Sequence, residues 1–423
     1  MSSPDPIWHP FTQMMTAAPP IHIAKAKGSI LFGADGKEYI DAISSWWVNI
    51  HGHCNEQIAA AIAAQARILE HVLFAGFTHS AAIELSKKLI SVLPGNFAKV
   101  FFSDDGSTSV EVALKMAIQY WHNQGIRNRT SIIALQNAYH GDTFGAMSVA
   151  ERNVFNASFS PFLFDVQRLP VPCAANIEDT KALMRQWSEQ GRIAAFIFEP
   201  LVQGAAGMLM YGAEYLDELV AVAKEQGIIC IADEVMTGFG RTGKNFAIDY
   251  LHHPPDIICL SKGITGGFLP LGATVCTQKI FDAFYSIDRT KTFFHGHSYT
   301  ANPLACAAAN ASMDLLSTAA CKQQIADISS SHTAFAAEIK GHGFVKEVRQ
   351  QGTILAIELD RENNSSYFSP LRDKAYAYYL SRGVFLRPLG NTVYIMPPYC
   401  ITSGELDRVY VAIRDSLQYL SVD

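Results

Sequence analysis

The 423-residue sequence has no run of about 18 or more uninterrupted apolar residues, which a membrane-spanning helix requires. Its first segment, MSSPDPIWHP, lacks the basic and apolar blocks of a secretory signal peptide. These absences favour a protein of the cytoplasm. The formal net charge is −6 and no long basic segment occurs, so nothing in the charge indicates binding to nucleic acid or to an anionic membrane. We therefore expect small molecules as partners.

Metal-binding and disulfide patterns are also missing. The eight cysteines are scattered without a CxxC pair, so neither a zinc knuckle nor a disulfide framework is expected and the thiols should be free. Two HGH triplets occur, at 51–53 and 295–297, but neither an HExxH motif nor a suitable carboxylate spacing accompanies them. The sequence predicts no metal site.

Hydrophobic residues make up 49% of the sequence, which is enough for a large core. The chain is also longer than one typical domain. Residues 1–50 are predicted to form an N-terminal arm with a hairpin turn at Asp35-Gly36. Residues 51–306 alternate short β-rich runs with helical patterns, which is typical of a mainly parallel sheet covered by helices. After an Ala-rich helix near 301–317, residues 307–423 should form a smaller domain that the arm joins.

Five apolar runs are the strand candidates of the large domain: KVFFS, SIIAL, AAFIFEP, GIICIADE and DIICLSK. Ligands of such sheets bind beyond the carboxyl ends of the strands, so the residues that follow each run are the candidates for a site. Four of the runs end in polar or charged residues: Ser103-Asp104-Asp105, Glu199, Asp233-Glu234 and Ser261-Lys262.

Asp233 and Lys262 place opposite charges at equivalent ends of two successive strands. A cofactor that combines a carbonyl with a pyridine ring needs this pair, because the lysine amine forms an imine and the carboxylate keeps the ring nitrogen protonated. A salt bridge that caps two strands explains the same spacing about equally well.

The segment KVFFSDDGSTSVEVALKMAIQYW indicates a strand, a turn at Gly106-Ser107-Thr108 and then a helix. Amides at a helix N-terminus suit a phosphate, although Ser, Thr and Asp are also ordinary capping residues. Carboxylates of Asp104 and Asp105 would repel a phosphate. The contact is therefore assigned to the backbone of Gly106 and Ser107, with Asp105 turned away or capping the helix.

A further polar loop, NAYHGDTFGAMS, follows the run SIIALQ and contains Tyr139 and His140. An aromatic side chain at this place can stack on a flat cofactor ring. A lone tyrosine is more often part of the core or of a cavity rim, and that alternative stays open from the residues alone.

Taken together, the segments FIFEPLVQG, ICIADEVMTGFGRTG, ICLSKGITGG, AYHGDTFGAMS and HGHSYTANPLACAAA resemble the class III aminotransferases, over about residues 8–398. This is a family of pyridoxal-phosphate (PLP) enzymes of fold type I. The resemblance implies an α/β fold, with a large domain built on a mainly parallel sheet covered by helices and a smaller α+β domain from the C-terminus and the N-terminal arm. It also implies PLP as the cofactor and a homodimer with shared active sites.

The resemblance assigns roles to individual residues. Lys262 is the Schiff-base lysine, and Asp233 pairs with the pyridine nitrogen. Val235 packs on one face of the ring and Tyr139, which joins Lys262 and Asp233 as a catalytic residue, on the other. The remaining cofactor contacts are Gly106, Ser107, His140 and, from the second subunit, Ser298.

The segments WHPFTQM, SSWWVNIHGH and FLRPLGNTVYIMPPY resemble the members that convert 8-amino-7-oxononanoate to 7,8-diaminononanoate in biotin biosynthesis. Trp46 and Trp47 would wall a pocket for this long acceptor, and the Arg387 guanidinium would bind its carboxylate. Two core aromatics and a surface arginine are the alternatives. The expected substrate-binding residues are Phe11, Trp46, Trp47, Tyr139, Lys262, Gly296 and Arg387.

The amino donor is less well determined. No acid follows Glu199-Pro200 before Glu214, which disfavours the 2-oxoglutarate-linked members, in which a glutamate stands there. S-adenosylmethionine is the usual donor of the resembling members and lysine is the donor of some. Phe11 replaces a tyrosine that can hydrogen-bond the donor, so both donors stay open.

Two further departures from the usual pattern concern Leu389, which replaces an aromatic residue, and His297-Ser298, which replaces Pro-Thr but keeps a hydroxyl for the phosphate. Rival interpretations are another class III ω-aminotransferase, a PLP mutase or decarboxylase, and a non-catalytic protein of the same fold.

Overall fold

A computed structural model describes residues 6–360 and 369–421. The strands are β1 (Ile23–Lys27), β2 (Ile30–Gly33), β3 (Glu38–Asp41), β4 (Phe97–Ser103), β5 (Ser131–Leu135), β6 (Gln167–Leu169), β7 (Ile193–Phe198), β8 (Val202–Gln203), β9 (Leu209–Met210), β10 (Ile229–Asp233), β11 (Ile257–Leu260), β12 (Gly272–Thr277), β13 (Val345–Gln351), β14 (Ile354–Leu359), β15 (Val384–Phe385) and β16 (Thr392–Ile395). The helices are α1 (Ser44–Trp47, distorted), α2 (Glu56–Ala66), α3 (Ser80–Val92), α4 (Gly106–Asn123), α5 (Phe144–Val149), α6 (Ile177–Ser188), α7 (Ala213–Glu225), α8 (Gln278–Asp282), α9 (Pro303–Ser317), α10 (Ala319–Ile339), α11 (Pro370–Ser381) and α12 (Ser403–Ser421).

The central layer is a seven-stranded sheet in the order β4-β12-β11-β10-β7-β5-β6. Strand β12 is antiparallel to both of its neighbours, whereas the other four pairings are parallel, so six strands share one direction. All five predicted strand runs lie in this sheet, as β4, β5, β7, β10 and β11. The predicted mainly parallel α/β sheet is confirmed.

Both faces of this sheet are covered. Every residue of β7, β10 and β11 is buried, which explains why these strands are almost continuously apolar. Successive side chains of a strand point to opposite faces. Accordingly, Ile197 packs in one hydrophobic cluster with Val110 of α4, while its neighbours Phe196 and Phe198 pack in another with Leu219 of α7.

The N-terminal arm contains the predicted hairpin. Strands β2 and β3 pair antiparallel, and Gly36 in the turn has a φ of +82°, which favours glycine. Strand β3 also pairs in parallel with β15, with Val384 opposite Ile40, so the arm shares a sheet with a segment from the C-terminal part. The boundaries at residues 50 and 306 stay predictions.

The C-terminal part begins after α9, which is the predicted Ala-rich helix. Asn302 caps this helix, because its side chain accepts hydrogen bonds from the backbone N–H groups of Leu304 and Ala305. Strands β13, β14 and β16 then form an antiparallel sheet with α10 packed against it. Across residues 6–360 and 369–421, no single helix has the length and apolar character to cross a bilayer; α9 and α10 meet that test only together, as a pair bent by 69°.

We expect Gly352→Ala to destabilise the protein. Gly352, between β13 and β14, has a φ of +56°, and a Cβ there would lie 2.2 Å from the carbonyl carbon of Thr242. Left-handed backbone and overpacking should together lower the free energy of unfolding by about 2 kcal/mol or more, measured by urea titration. At Gly341 a Cβ meets nothing within 4 Å, so Gly341→Ala is the matched control. Equal effects of the two substitutions would contradict this prediction.

Candidate active site

A cavity of about 800 Å³ lies at the edge of the central sheet where ligands are expected. Its wall contains residues that end or follow five strands of the same direction, so the sheet brings together groups that are far apart in sequence. These residues are Asp105 after β4, Tyr139 after β5, Glu199 after β7, Asp233 at the end of β10 and Lys262 after β11.

Most of the predicted site residues line this one cavity. Gly296 and Ser298 do not; both are exposed on the surface of this chain, and the predicted contact of Ser298 involves a second subunit. The predicted residues that the structure does bring together are Phe11, Trp46, Trp47, Gly106, Ser107, Tyr139, His140, Val235, Asp233, Lys262 and Arg387.

Lys262 projects into the cavity from a strained position. Its φ is +46°, a left-handed value that is rare for a residue with a side chain and is often found at functional sites. Its Nζ lies 4.5 Å from the centre of the Trp47 ring. Burial lowers the pKa of Lys262 to about 8, although the negative charges of Asp233 and Glu199 act in the opposite direction.

Asp233 pairs with His140, whereas a salt bridge that caps the two strands would require Lys262 as its partner. Its Oδ2 lies 2.7 Å from Nδ1 of His140, and its Oδ1 accepts a hydrogen bond from the N–H of Val235 at 3.1 Å. Asp233 pairs with His140 rather than with Lys262 among the ion pairs of the described residues. The carboxylate is therefore fixed at both oxygens, while Lys262 stays available for other chemistry.

The predicted phosphate-binding turn lies at the start of α4. Asp105 caps this helix, because its Oδ1 accepts a hydrogen bond from the N–H of Thr108 at 2.8 Å, so the prediction of a capping role is confirmed. Asp104 faces His297, with Oδ2 3.2 Å from Nδ1. The amides at Gly106 and Ser107 are thus the groups that an anion in the cavity would meet.

Gly106 also has a steric reason to be glycine. A Cβ at this position would lie 2.7 Å from Cγ1 of Val235, which lines the same cavity. The backbone at Gly106 therefore lies so close to Val235 that a residue with a side chain would not fit without a shift. Ser107 is held as well, since its Oγ accepts a hydrogen bond from the N–H of Asp142 at 3.0 Å.

Aromatic rings and one guanidinium form the outer part of the cavity. The Phe11 ring centre lies 5.5 Å from that of Trp46 and 6.0 Å from that of Phe155. The Arg387 guanidinium lies 5.1 Å from the centre of the Trp46 ring. Trp46 is 43% exposed whereas Trp47 is buried, so the two tryptophans are not simply a pair of core residues.

Sequence reasoning missed the role of Glu199 in this cavity. Glu199 is buried and accepts hydrogen bonds from the N–H groups of Tyr139 at 3.0 Å and Gly204 at 3.1 Å. Burial raises its pKa to about 7; among nearby charges, His140 acts against this rise and Asp233 adds to it. The signal was present, because Glu199 follows a strand as Asp233 and Lys262 do.

Arg241 was also missed, within the motif TGFGRTG. It is almost completely buried, and its guanidinium donates to the carbonyl oxygens of Pro397 at 2.7 Å and Trp47 at 3.3 Å. Arg241 therefore holds the backbone of the tryptophan segment through the carbonyl oxygen of Trp47. No cluster of three or more potential metal ligands occurs within the two described ranges.

The arrangement of lysine, aspartate and helix N-terminus invites comparison with known families. Residues 12–417 match the family model of the class-III aminotransferases. The chain belongs to this family. As a class III aminotransferase, it is an enzyme that transfers nitrogenous groups, so the predicted enzyme class is confirmed.

Curated relatives of this aminotransferase are similar over nearly the whole chain. The adenosylmethionine-8-amino-7-oxononanoate aminotransferase of Synechococcus elongatus is 49% identical and covers 99% of each chain. The protein of the same name from Geobacter sulfurreducens is 39% identical, over 97% of this chain and 95% of its own.

Solved structures confirm the predicted fold. An adenosylmethionine-8-amino-7-oxononanoate aminotransferase from Methanocaldococcus jannaschii has a TM-score of 0.92 at 35% identity, with 97% of each chain covered. An amine transaminase from an uncultivated Pseudomonas species, solved in its PLP-bound form, has a TM-score of 0.91 at 31% identity, over 99% of this chain and 100% of its own.

We expect Lys262 in cofactor-free protein to react with acetic anhydride at lower pH than surface lysines do. With a pKa of about 8, half of its amine is neutral at that pH, whereas an ordinary lysine is still almost fully protonated. Peptide mass spectrometry between about pH 6 and about pH 11 measures both profiles. Exposed Lys37, whose pKa the neighbouring Asp35 raises, is the internal reference, and coincident profiles would rule out the lowered pKa.

Proposed function

We propose that this aminotransferase converts 8-amino-7-oxononanoate to 7,8-diaminononanoate in biotin biosynthesis, with PLP as cofactor and S-adenosylmethionine as amino donor. One observation carries the proposal: a single cavity joins Lys262 and Asp233 to a wall of Trp46 and Trp47 and to the Arg387 guanidinium. A long aliphatic chain with a carboxylate matches that wall and that cation. The names of the relatives from Synechococcus elongatus and Geobacter sulfurreducens, which are 49% and 39% identical, support this choice of acceptor and donor.

The residues present fit PLP. When bound, PLP supplies an aldehyde that bonds amines and a pyridine ring that withdraws electrons from the bonded carbon. The amides of Gly106 and Ser107, at the start of the 18-residue α4, would hold its phosphate. Val235, which lies against Gly106, would pack on one face of the ring, and Tyr139, which lines the same cavity, would pack on the other.

Asp233 would hold the proton on the pyridine nitrogen. Its orientation is set by His140 at one oxygen and by the Val235 N–H at the other, so it needs no rearrangement to meet the ring. His140 is buried, and its second ring nitrogen, Nε2, has no hydrogen-bond partner among the described groups. His140 thus acts through Asp233 as a positioning residue.

Lys262 would hold the cofactor and, once its amine is released, move the proton at the carbon that bears the amino group. A general base works best when its pKa lies near the working pH, and burial moves the pKa of Lys262 in that direction, to about 8. The two substrates would occupy the same cavity in turn, because both must reach the one lysine.

The acceptor would lie along the tryptophans with its carboxylate at Arg387. The guanidinium can bind a carboxylate through two parallel hydrogen bonds, and its contact with the Trp46 ring orients it. For the donor, lysine is the second candidate. Phe11 lines the cavity without a hydroxyl group, so the donor would receive no hydrogen bond from that side chain.

We further infer that the enzyme is a cytoplasmic homodimer. Ser298 and Gly296 are exposed on this chain, and the surrounding segments expose large apolar side chains. Phe77 is 63% exposed, Phe294 74% and Tyr299 62%, so an interface that covers them would remove apolar surface from water. A second subunit would cover these side chains and bring Ser298 to the phosphate of its neighbour.

The proposed reaction is tested with purified holoenzyme and 8-amino-7-oxononanoate, with S-adenosylmethionine and lysine offered separately. Formation of 7,8-diaminononanoate is measured by mass spectrometry. We expect product with S-adenosylmethionine. Product with lysine alone would transfer the donor role to lysine, and no product with either donor would contradict the proposed function.

Two variants serve as controls in this assay. Lys262→Ala should abolish turnover, and Asp233→Asn should lower kcat by about a hundredfold or more, because a neutral amide cannot stabilise the ring proton. Cofactor absorbance shows whether each variant still binds PLP. Full activity of Lys262→Ala would overturn the mechanism.

For the dimer, we expect a mass of about twice 46.4 kDa by sedimentation equilibrium. Phe294→Arg should shift the equilibrium toward monomer, since it would bury an unpaired charge in the interface. The control is Val411→Arg, at a side chain on α12 that is 47% exposed. A monomeric wild-type protein would contradict the inference.

A further inference from the structure

The tryptophan wall of the cavity is built on a strained turn. Ser44, Ser45 and Trp47 have φ values of +52°, +59° and +68°, in the left-handed region that residues with side chains rarely occupy. Such a conformation persists only where surrounding bonds impose it. Because Trp46 and Trp47 line the cavity, whatever holds this turn also sets the shape of the pocket.

Asp41, the last residue of β3, supplies three of those bonds. It is fully buried, and its Oδ1 accepts hydrogen bonds from the N–H groups of Ser45 at 2.8 Å and Ile43 at 3.3 Å. Its Oδ2 accepts another from the Ser45 hydroxyl at 2.9 Å. All three bonds run to the segment that leads directly into Trp46.

His53 completes the arrangement. Its Nε2 lies 2.8 Å from Asp41 Oδ2, and its Nδ1 lies 3.2 Å from the amide nitrogen of Asn49. Since the Asn49 amide nitrogen donates to Nδ1, the hydrogen of a neutral His53 ring is on Nε2 and is donated to Asp41. Hydrogen bonds thus saturate Asp41 on both oxygens.

The same network reaches the lysine segment. A Cβ on Gly267 would lie 2.8 Å from Oδ1 of Asn49, so the Asn49 side chain packs directly on this glycine. Gly267 lines the cavity a few residues after Lys262. The chain of contacts from Asp41 through His53 and Asn49 therefore ties the tryptophan wall to the segment that carries the reactive amine.

We propose that Asp41 and His53 are positioning residues that fix the tryptophan wall and thereby determine the affinity for a long aliphatic acceptor. The identity of that acceptor rests on the proposed function. Neither residue is among the described residues that line the cavity, so both act through Ser45, Trp46 and Trp47. Tryptophan side chains that are fixed before the acceptor arrives bind it more tightly, because they lose less conformational freedom on binding.

Asp41→Asn tests this role, since the amide keeps the shape but its nitrogen cannot accept hydrogen bonds. We expect the KM for 8-amino-7-oxononanoate to rise about tenfold, which is more than the fall in kcat or the rise in the KM for the amino donor. His53→Ala should raise the same KM. His53→Gln should largely restore it, because the glutamine amide can still donate to Asp41.

The matched control is Asp217→Asn. Asp217 also binds a histidine, with Oδ2 3.0 Å from Nδ1 of His253, and accepts two backbone N–H bonds, but it lies on α7 outside the cavity wall. Equal losses of thermal stability in Asp41→Asn and Asp217→Asn, with an unchanged acceptor KM in both, would show a purely structural role and overturn the proposal.

A second measurement is independent of the reaction. Nonanoate has nine carbons and a carboxylate but no reacting group, and calorimetry measures its binding to the holoenzyme. Asp41→Asn should weaken this binding about tenfold. Undiminished binding by the variant, or no binding by the wild type, would overturn the positioning role. The wild type could bind nonanoate and yet fail to aminate 8-amino-7-oxononanoate. That result would contradict the proposed function, while the effect of Asp41→Asn on nonanoate binding would still test the positioning role.

Discussion

The site depends on one geometric constraint, the common edge at which parallel strands end. Asp233 is opposite Cys259 in the pairing of β10 with β11, and Lys262 follows shortly after Cys259, so both side chains stand at the same edge of the sheet. Glu199 directly follows β7, the neighbouring strand on the other side of β10. These three groups span residues 199–262 in sequence, and the shared sheet edge brings them into one cavity.

That shared edge has an electrostatic cost. Asp233, Glu199 and Lys262 lie close together at the end of an apolar sheet, where each charge is poorly solvated. The structure offsets this cost with hydrogen bonds from the backbone and His140 rather than with direct pairing of lysine and aspartate. Burial lowers the pKa of Lys262 to about 8, and the hydrogen bonds from His140 and Val235 hold the Asp233 carboxylate without a direct lysine partner.

Much of this could be predicted from the sequence, because buried parallel strands are recognisable as apolar runs and the reactive groups stand directly after them. All five runs, the hairpin at Gly36 and the cap at Asp105 are where the residues indicated. Arg241 and the network of Asp41 with His53 could not be found in this way. Their partners are carbonyl and amide groups of other segments, and no local pattern reveals which backbone atoms a fold will bring to a buried side chain.

The short pairing of β3 with β15 links two parts of the cavity wall that are distant in sequence. Trp46 follows β3 and Arg387 follows β15, so the residue pair Val384–Ile40 sets the spacing between the aromatic wall and the guanidinium. Lys262 follows β11, which belongs to a different sheet, the central one. In the proposed function, the acceptor would therefore lie between two separately anchored points, Arg387 for its carboxylate and Lys262 for its carbonyl carbon. A shift of the whole four-stranded sheet β1-β2-β3-β15 would accordingly change which length of aliphatic acceptor fits the cavity.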